Sequence, residues 1–188
     1  ESRADLEWWR EALSRPLSLP LHVRPISAAL VTDASSDNVG YVISTKEMKI
    51  KGSTPVKDKR VSTNAKEIEA VYKGLIKGKD ILKNKRIVVY SDNMTTCAAI
   101  RRQGTQALSL AAWMWTKKLL DTAMELNVSL CPHHVPGRLN TQADSLSRPR
   151  EEMKAWKGAM KKITTRWGPL NEDPFGLMGD PTSLPEAC

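Results

Sequence analysis

Two continuous apolar runs in this chain each close on an aspartate. Ala28-Ala29-Leu30-Val31-Thr32 runs into Asp33, and Ile87-Val88-Val89-Tyr90-Ser91 runs into Asp92. An unbroken apolar run reads as a strand buried on both faces, the kind found in a helix-covered sheet. In open α/β sheets the ligand crevice lies beyond the carboxyl ends of such strands. If the two strands are parallel neighbours, their aspartates meet at one sheet edge. Glu67 and Asp144, near the starts of expected helices, can complete a cluster of four acids. Four carboxylates at one place repel one another unless a hard cation holds them, so the pattern implies a divalent metal.

Composition narrows the partners. The net charge is +8, from 29 basic and 21 acidic residues, which favours a polyanion. One Phe and three Tyr are too few for an aromatic platform on which bases stack. No apolar run approaches the length of a membrane span, so no membrane partner is expected. Cys97, Cys131 and Cys188 are odd in number and lack paired spacing, which points to a reducing compartment. The chain opens on Glu1 without a basic-then-apolar leader. It reads as an intracellular piece, cytoplasmic or nuclear, of a longer protein.

The periodicities predict three strands at 28–32, 40–44 and 48–53, the first two joined by a hairpin at Ser35-Ser36-Asp37-Asn38. A helix starting near Asn64 follows, with an apolar stripe at Ile68, Val71 and Leu75, ended by Gly78 and Asp80. After the strand 87–91, Asn93 is expected to cap a helix through Arg101, closed by Gly104 at the left-handed position. A long helix at 107–126, a strand at 128–135 and a short helix at 142–147 complete the order. Pro132 places that last strand at a sheet edge or a bulge. Right-handed crossovers then give an α/β fold with a five-stranded mixed sheet and helices on both faces, the ribonuclease H-like architecture. The expected division is a lead-in segment at 1–24, a core domain at 25–148, and a tail at 149–188. In that tail Met153, Trp156, Met160, Ile163 and Trp167 mark an amphipathic basic helix ahead of a Pro/Gly-rich linker.

Four blocks carry a family resemblance: Asp33-Ala34-Ser35; Asn64-Ala65-Lys66-Glu67-Ile68-Glu69-Ala70-Val71; Ser91-Asp92-Asn93; and His134-Val135-Pro136-Gly137-Arg138-Leu139-Asn140-Thr141-Gln142-Ala143-Asp144-Ser145-Leu146-Ser147-Arg148. In this order they resemble the ribonuclease H domain of retroelement reverse transcriptases, most of all that of DIRS-like, tyrosine-recombinase retrotransposons. Two departures stand out. Asn38-Val39-Gly40 replaces the family's Gly-Trp-Gly, which removes an aromatic from the second strand. No histidine lies between Gly137 and Asp144, where cellular ribonucleases H carry one on a mobile loop.

The resemblance implies hydrolysis of the RNA strand of RNA–DNA hybrids during reverse transcription, with Asp33, Glu67, Asp92 and Asp144 as catalytic metal ligands. Two Mg²⁺ ions are implied, with Mn²⁺ able to substitute. Asp33 would bridge the ions, Asp144 would complete the site of the water-activating one, and Glu67 with Asp92 would hold the other. Ser35, Asn64, Asn93, Arg138 and Asn140 fall at positions implied to touch nucleic acid. The implied partners are the hybrid and an upstream polymerase domain of the same polyprotein.

Locally each acid has a plainer role. Asp33 suits a turn. Glu67 follows Asn64 by three residues, as in a capping box, and Glu69 lies about 200° from it around the helix, toward solvent. Asp92 could cap its helix, and Asp144 suits a helix N-terminus. Cys131, His133 and His134 hint at a soft metal without a second Cys/His pair. A non-catalytic hybrid-binding scaffold and a DNA-strand nuclease or integrase on the same fold are the competing functions.

Overall fold

The structure, a computed structural model, describes residues 2–14, 23–105 and 109–148. Part of the lead-in, and the whole tail with its expected amphipathic helix, lie outside the described residues. The first described element is helix α1 (Ser2–Leu13).

Strands β1 (Ile26–Ala34), β2 (Asn38–Thr45) and β3 (Lys49–Pro55) form an antiparallel meander, and β4 (Arg86–Ser91) and β5 (Ser129–His134) extend it. The order across the sheet is β3-β2-β1-β4-β5, with β4 parallel to both β1 and β5. The five-stranded mixed sheet is therefore as expected, and Pro132 sits on the edge strand. There its missing N–H costs no interior ladder bond.

Burial is continuous along the middle of β1, and successive side chains point to opposite faces, so the strand feeds two cores. Ala28 and Leu30 join a core with Ile43, Ile68, Val71, Leu75 and Val89, beneath α2 (Thr63–Lys77) and α5 (Leu110–Glu125). Ala29 and Val31 join Val42, Val88, Tyr90, Val135 and Ala143 on the other face, under α6 (Thr141–Ser147). Each fully buried Leu, Ile or Val contributes about 1.5–3 kcal/mol, so the first core dominates the stability.

Two local expectations are corrected. Helix α2 begins near Asn64 as expected, at Thr63, but its cap is Ser62, which accepts the Ala65 N–H. With the cap at Ser62, Glu67 lies beyond the capping-box position and its carboxylate is free to turn to β1. Gly78 closes α2 as its C-cap, as expected, and a separate short turn, α3 (Lys79–Leu82), follows and buries Leu82. At the end of α4 (Met94–Arg101) the left-handed residue is Gln103, with φ of 52°, not Gly104. The Gly104 N–H bonds the Ala99 carbonyl and the Gln103 N–H bonds that of Ile100, a Schellman closure with the glycine one place further on.

The lost aromatic leaves no hole. Val39 is fully buried in a small cluster with Val56 and Ala70. Gly40, beside it, lets α6 lie directly on β2: a Cβ there would come within 2.4 Å of the Ala143 carbonyl oxygen and 2.7 Å of the Ser147 nitrogen.

Candidate active site

The β1–β4 pairing sets Val31 opposite Tyr90. Asp33 and Asp92 each stand two residues further along, so register alone delivers both carboxylates to one sheet edge. Glu67 arrives from the second turn of α2. Its Oε1 accepts the Ala34 backbone N–H at 3.3 Å, tying the helix to the end of β1. Ligand atoms of Asp33, Glu67 and Asp92 all lie within 4.8 Å of one another, and this is the one such group of three or more among the described residues. The Cys131, His133 and His134 hint does not gather; the His133 ring packs edge-on against Tyr90.

Asp144 lines the same pocket, together with Asp33, Ala34, Ser35, Ser36, Glu67, Asp92, Ser147 and Arg148. It is not within the close group of three. Its Oδ1 instead receives Nε and Nη2 of Arg148 at 2.8 and 2.6 Å.

The pocket is electrostatically costly as it stands. Burial pushes the Asp33 carboxyl up to about 6; the Ser147 hydrogen bond opposes this rise, and the charges of Asp92 and Asp144 add to it. Burial, then the charges of Asp33 and Asp92, push Glu67 up to about 9. Asp92 is also raised, chiefly by burial. Glu67 is 4% exposed, and its Oε2 is buried without a hydrogen-bond partner. A buried carboxylate with one orphaned oxygen, facing two other acids, fits an oxygen-seeking divalent cation, which would satisfy the oxygen and cancel the repulsion together.

Several supports were not anticipated from the sequence. The Ser147 hydroxyl donates to Asp33 Oδ2 at 2.6 Å from the far end of α6. Gly137 leaves room for Asp92, since a Cβ there would sit 2.9 Å from Asp92 Oδ2. The His134 ring places Nε2 3.1 Å from the Asp92 carbonyl oxygen. A Ser or Gly has no local pattern that announces such a role; only the tertiary neighbour does. Glu69 is a correction: it is fully buried, not solvent-facing. Its Oε1 accepts the Lys57 N–H at 2.9 Å and pairs with Lys73 at 2.7 Å, pinning the loop after β3 to α2.

The five residues implied to touch nucleic acid divide by exposure. Asn140 is 1% exposed and donates to the Thr32 carbonyl oxygen at 2.9 Å. The side chain thus braces the end of β1 from within the fold. Ser35 is half-buried; its hydroxyl accepts the Asn38 N–H and donates to the Ser147 carbonyl at 2.5 Å. Asn93 caps α4 through the Thr96 N–H and donates to Asn64 Oδ1 at 2.8 Å, joining the starts of two helices. Arg138 is exposed on a single 3₁₀ turn, Gly137–Leu139.

This architecture is that of the ribonuclease H-like fold. The chain is similar to ribonuclease H1 of the halophilic archaeon Halobacterium salinarum, with a TM-score of 0.52 and 16% identity over 65% of this chain and 93% of that one. A ribonuclease H1 isolated from compost gives 0.51 and 19%, over 64% and 91% of the two chains. The N-terminal ribonuclease H domain of a Mycobacterium tuberculosis protein gives 0.50 and 16%, over 64% and 95%. No protein-family model and no curated protein matches the sequence.

Proposed function

We propose that the protein is a divalent-metal-dependent ribonuclease H that hydrolyses the RNA strand of RNA–DNA hybrids. We further propose that it does so as part of a retroelement reverse transcriptase of the DIRS-like kind, beside a polymerase domain of the same polyprotein. The observation that carries the reading is the Asp33–Glu67–Asp92 cluster at the carboxyl edge of the parallel strands, with the Glu67 Oε2 orphaned inside it.

Asp33, Glu67 and Asp92 would hold the first divalent ion, and Asp144 with Asp33 a second. Bound there, Mg²⁺ or Mn²⁺ supplies charge stabilisation for an in-line phosphoryl displacement and lowers the pKa of attacking water. The chain's own residues fix the acids that do the holding. Ser147 and Asn140 brace the end of β1 from α6 and the turn before it, and the Ala34 N–H fixes one oxygen of Glu67. Strands β1 and β4 are buried neighbours at the centre of the sheet, so their register sets the spacing of Asp33 and of Asp92 just beyond β4 before any ion binds. Ser35, Asn64, Asn93 and Arg138, with the open mouth of the pocket, are assigned to the hybrid. Choosing RNA over DNA requires a contact to the 2′-hydroxyl, the group that separates the two polymers.

The test is cleavage of an end-labelled RNA–DNA hybrid with Mg²⁺ or Mn²⁺. Loss of the RNA strand alone is expected, with duplex DNA and duplex RNA spared. Asp92→Asn is expected to lower the rate by about a thousandfold, the worth of several kcal/mol of lost charge stabilisation. Hybrid binding without cleavage in either metal would replace this reading by a scaffold. Cleavage of the DNA strand would replace it by a DNA nuclease.

A further inference from the structure

Of the four acids in the pocket, one already holds a cation. Arg148 follows Asp144 by one helical turn and puts two guanidinium nitrogens on the same Oδ1, at 2.8 and 2.6 Å. Charge-assisted contacts of that length are the stronger kind. The Asp144 side chain is 15% exposed and that of Arg148 38%, so the carboxylate faces the pocket while the guanidinium reaches toward solvent and is partly screened. The guanidinium lines the pocket with Asp33, Glu67 and Asp92 and partly offsets the charge felt by Asp33. The other three acids meet without Asp144 and without any basic side chain bonded to them among the hydrogen bonds and ion pairs of the described residues. The cluster is thus split into a group of three that lacks a cation and a fourth member that has one.

Resting on the metal-site reading above, we propose that Arg148 is an internal counter-cation that makes metal uptake sequential. The first divalent ion enters on Asp33, Glu67 and Asp92. The second meets, at Asp144, a carboxylate whose Oδ1 is already held by the guanidinium, and must either displace it or bind Oδ2 beside its positive charge. Either route costs apparent affinity, the first in proportion to the population of the open pair. The Arg148–Asp144 pair therefore weakens the second site most, and reaches the first only through the smaller influence of its charge on Asp33.

The test counts ions on the protein without substrate. Mn²⁺ is titrated into wild type, Arg148→Gln and Arg148→Lys, with free Mn²⁺ read by electron paramagnetic resonance and heats by calorimetry. Wild type is expected to bind one ion, and a second at least tenfold more weakly. Arg148→Gln is expected to tighten the second site tenfold or more and to leave the first within about twofold. Arg148→Lys, which keeps the charge but loses the two-nitrogen contact, should fall between. Circular dichroism verifies that each variant is folded, and if the Gln variant is not, the Lys variant decides. Ion uptake by wild type with an unchanged or weakened second site in the folded variant overturns this inference alone. No ion uptake by wild type, with Asp33→Asn behaving identically, overturns the metal-site reading and this inference with it.

Discussion

At the scale of single residues, the acids that make the pocket useful also make it unstable. Asp33 ordinarily titrates near 3.8 and here near 6; Glu67 ordinarily near 4.5 and here near 9. A carboxyl whose folded pKa is raised stabilises the fold while protonated, fully so below its unfolded pKa. That contribution is lost as pH rises through the folded value. Metal-free protein is therefore expected to lose stability through this site from about pH 4 to 6 by way of Asp33, and on toward pH 9 by way of Glu67. Glu67→Gln, which mimics the protonated form, should be more stable than wild type without metal at pH 7.5, by roughly 2–4 kcal/mol. The gap should close below about pH 4.5. Saturating Mg²⁺ should raise the wild-type melting temperature by several degrees and the variant's far less. Denaturant titrations of both proteins across pH, with and without Mg²⁺, check each step.

At the scale of elements, α6 and its seat decide whether the pocket is whole. Gly40 is the point where the helix backbone touches β2. Gly40→Ala is expected to cost about 2–3 kcal/mol, within the range for overpacking, because the atoms in the way are backbone and cannot rotate aside. It should also lower cleavage, although Gly40 touches no acid, since α6 carries both Asp144 and Ser147. Melting temperature and rate measured on one preparation would show the two losses together. The elements were largely legible in the sequence because apolar periodicity and a terminal aspartate are local signals. Asp33, Asp92 and the edge position of Pro132 followed from them. The differences at Gly104 and Glu69 have another cause. Residue type alone puts the left-handed position at Gly104, whereas Gln103 takes it. Glu69 has a local partner in Lys73, one turn along α2, but its burial depends on the Lys57 N–H, which reaches it only once the loop after β3 folds back. Asn140 is similar: nothing near it in sequence says that it will be buried against Thr32, 108 residues away.

At the scale of the molecule, charge and order of assembly matter most. Lys57, Arg60 and Lys118 line a groove between the loop after β3 and α5 with Met114, Trp115 and Asp58, which pairs with Arg60 at 3.3 Å, and Lys118 lies 5.0 Å from the Trp115 ring centre. If Lys57 and Lys118 each neutralise one phosphate of a bound hybrid, the logarithm of affinity should fall with that of salt at a slope of about −2. Lys118→Ala should reduce that slope by about 1, read by fluorescence anisotropy over a salt series. No helix among the described residues is long and apolar enough to cross a membrane. The pocket itself draws on both ends of the described core. Ser147, the last residue of α6, holds the aspartate near the end of the first strand, and the Ser147 carbonyl holds the Ser35 hydroxyl. A chain still emerging from the ribosome therefore has no complete acidic pocket until α6 has cleared the exit tunnel. On the proposed function, a chain cut before Ser147 would carry its first strand and its three clustered acids but lack the brace on Asp33.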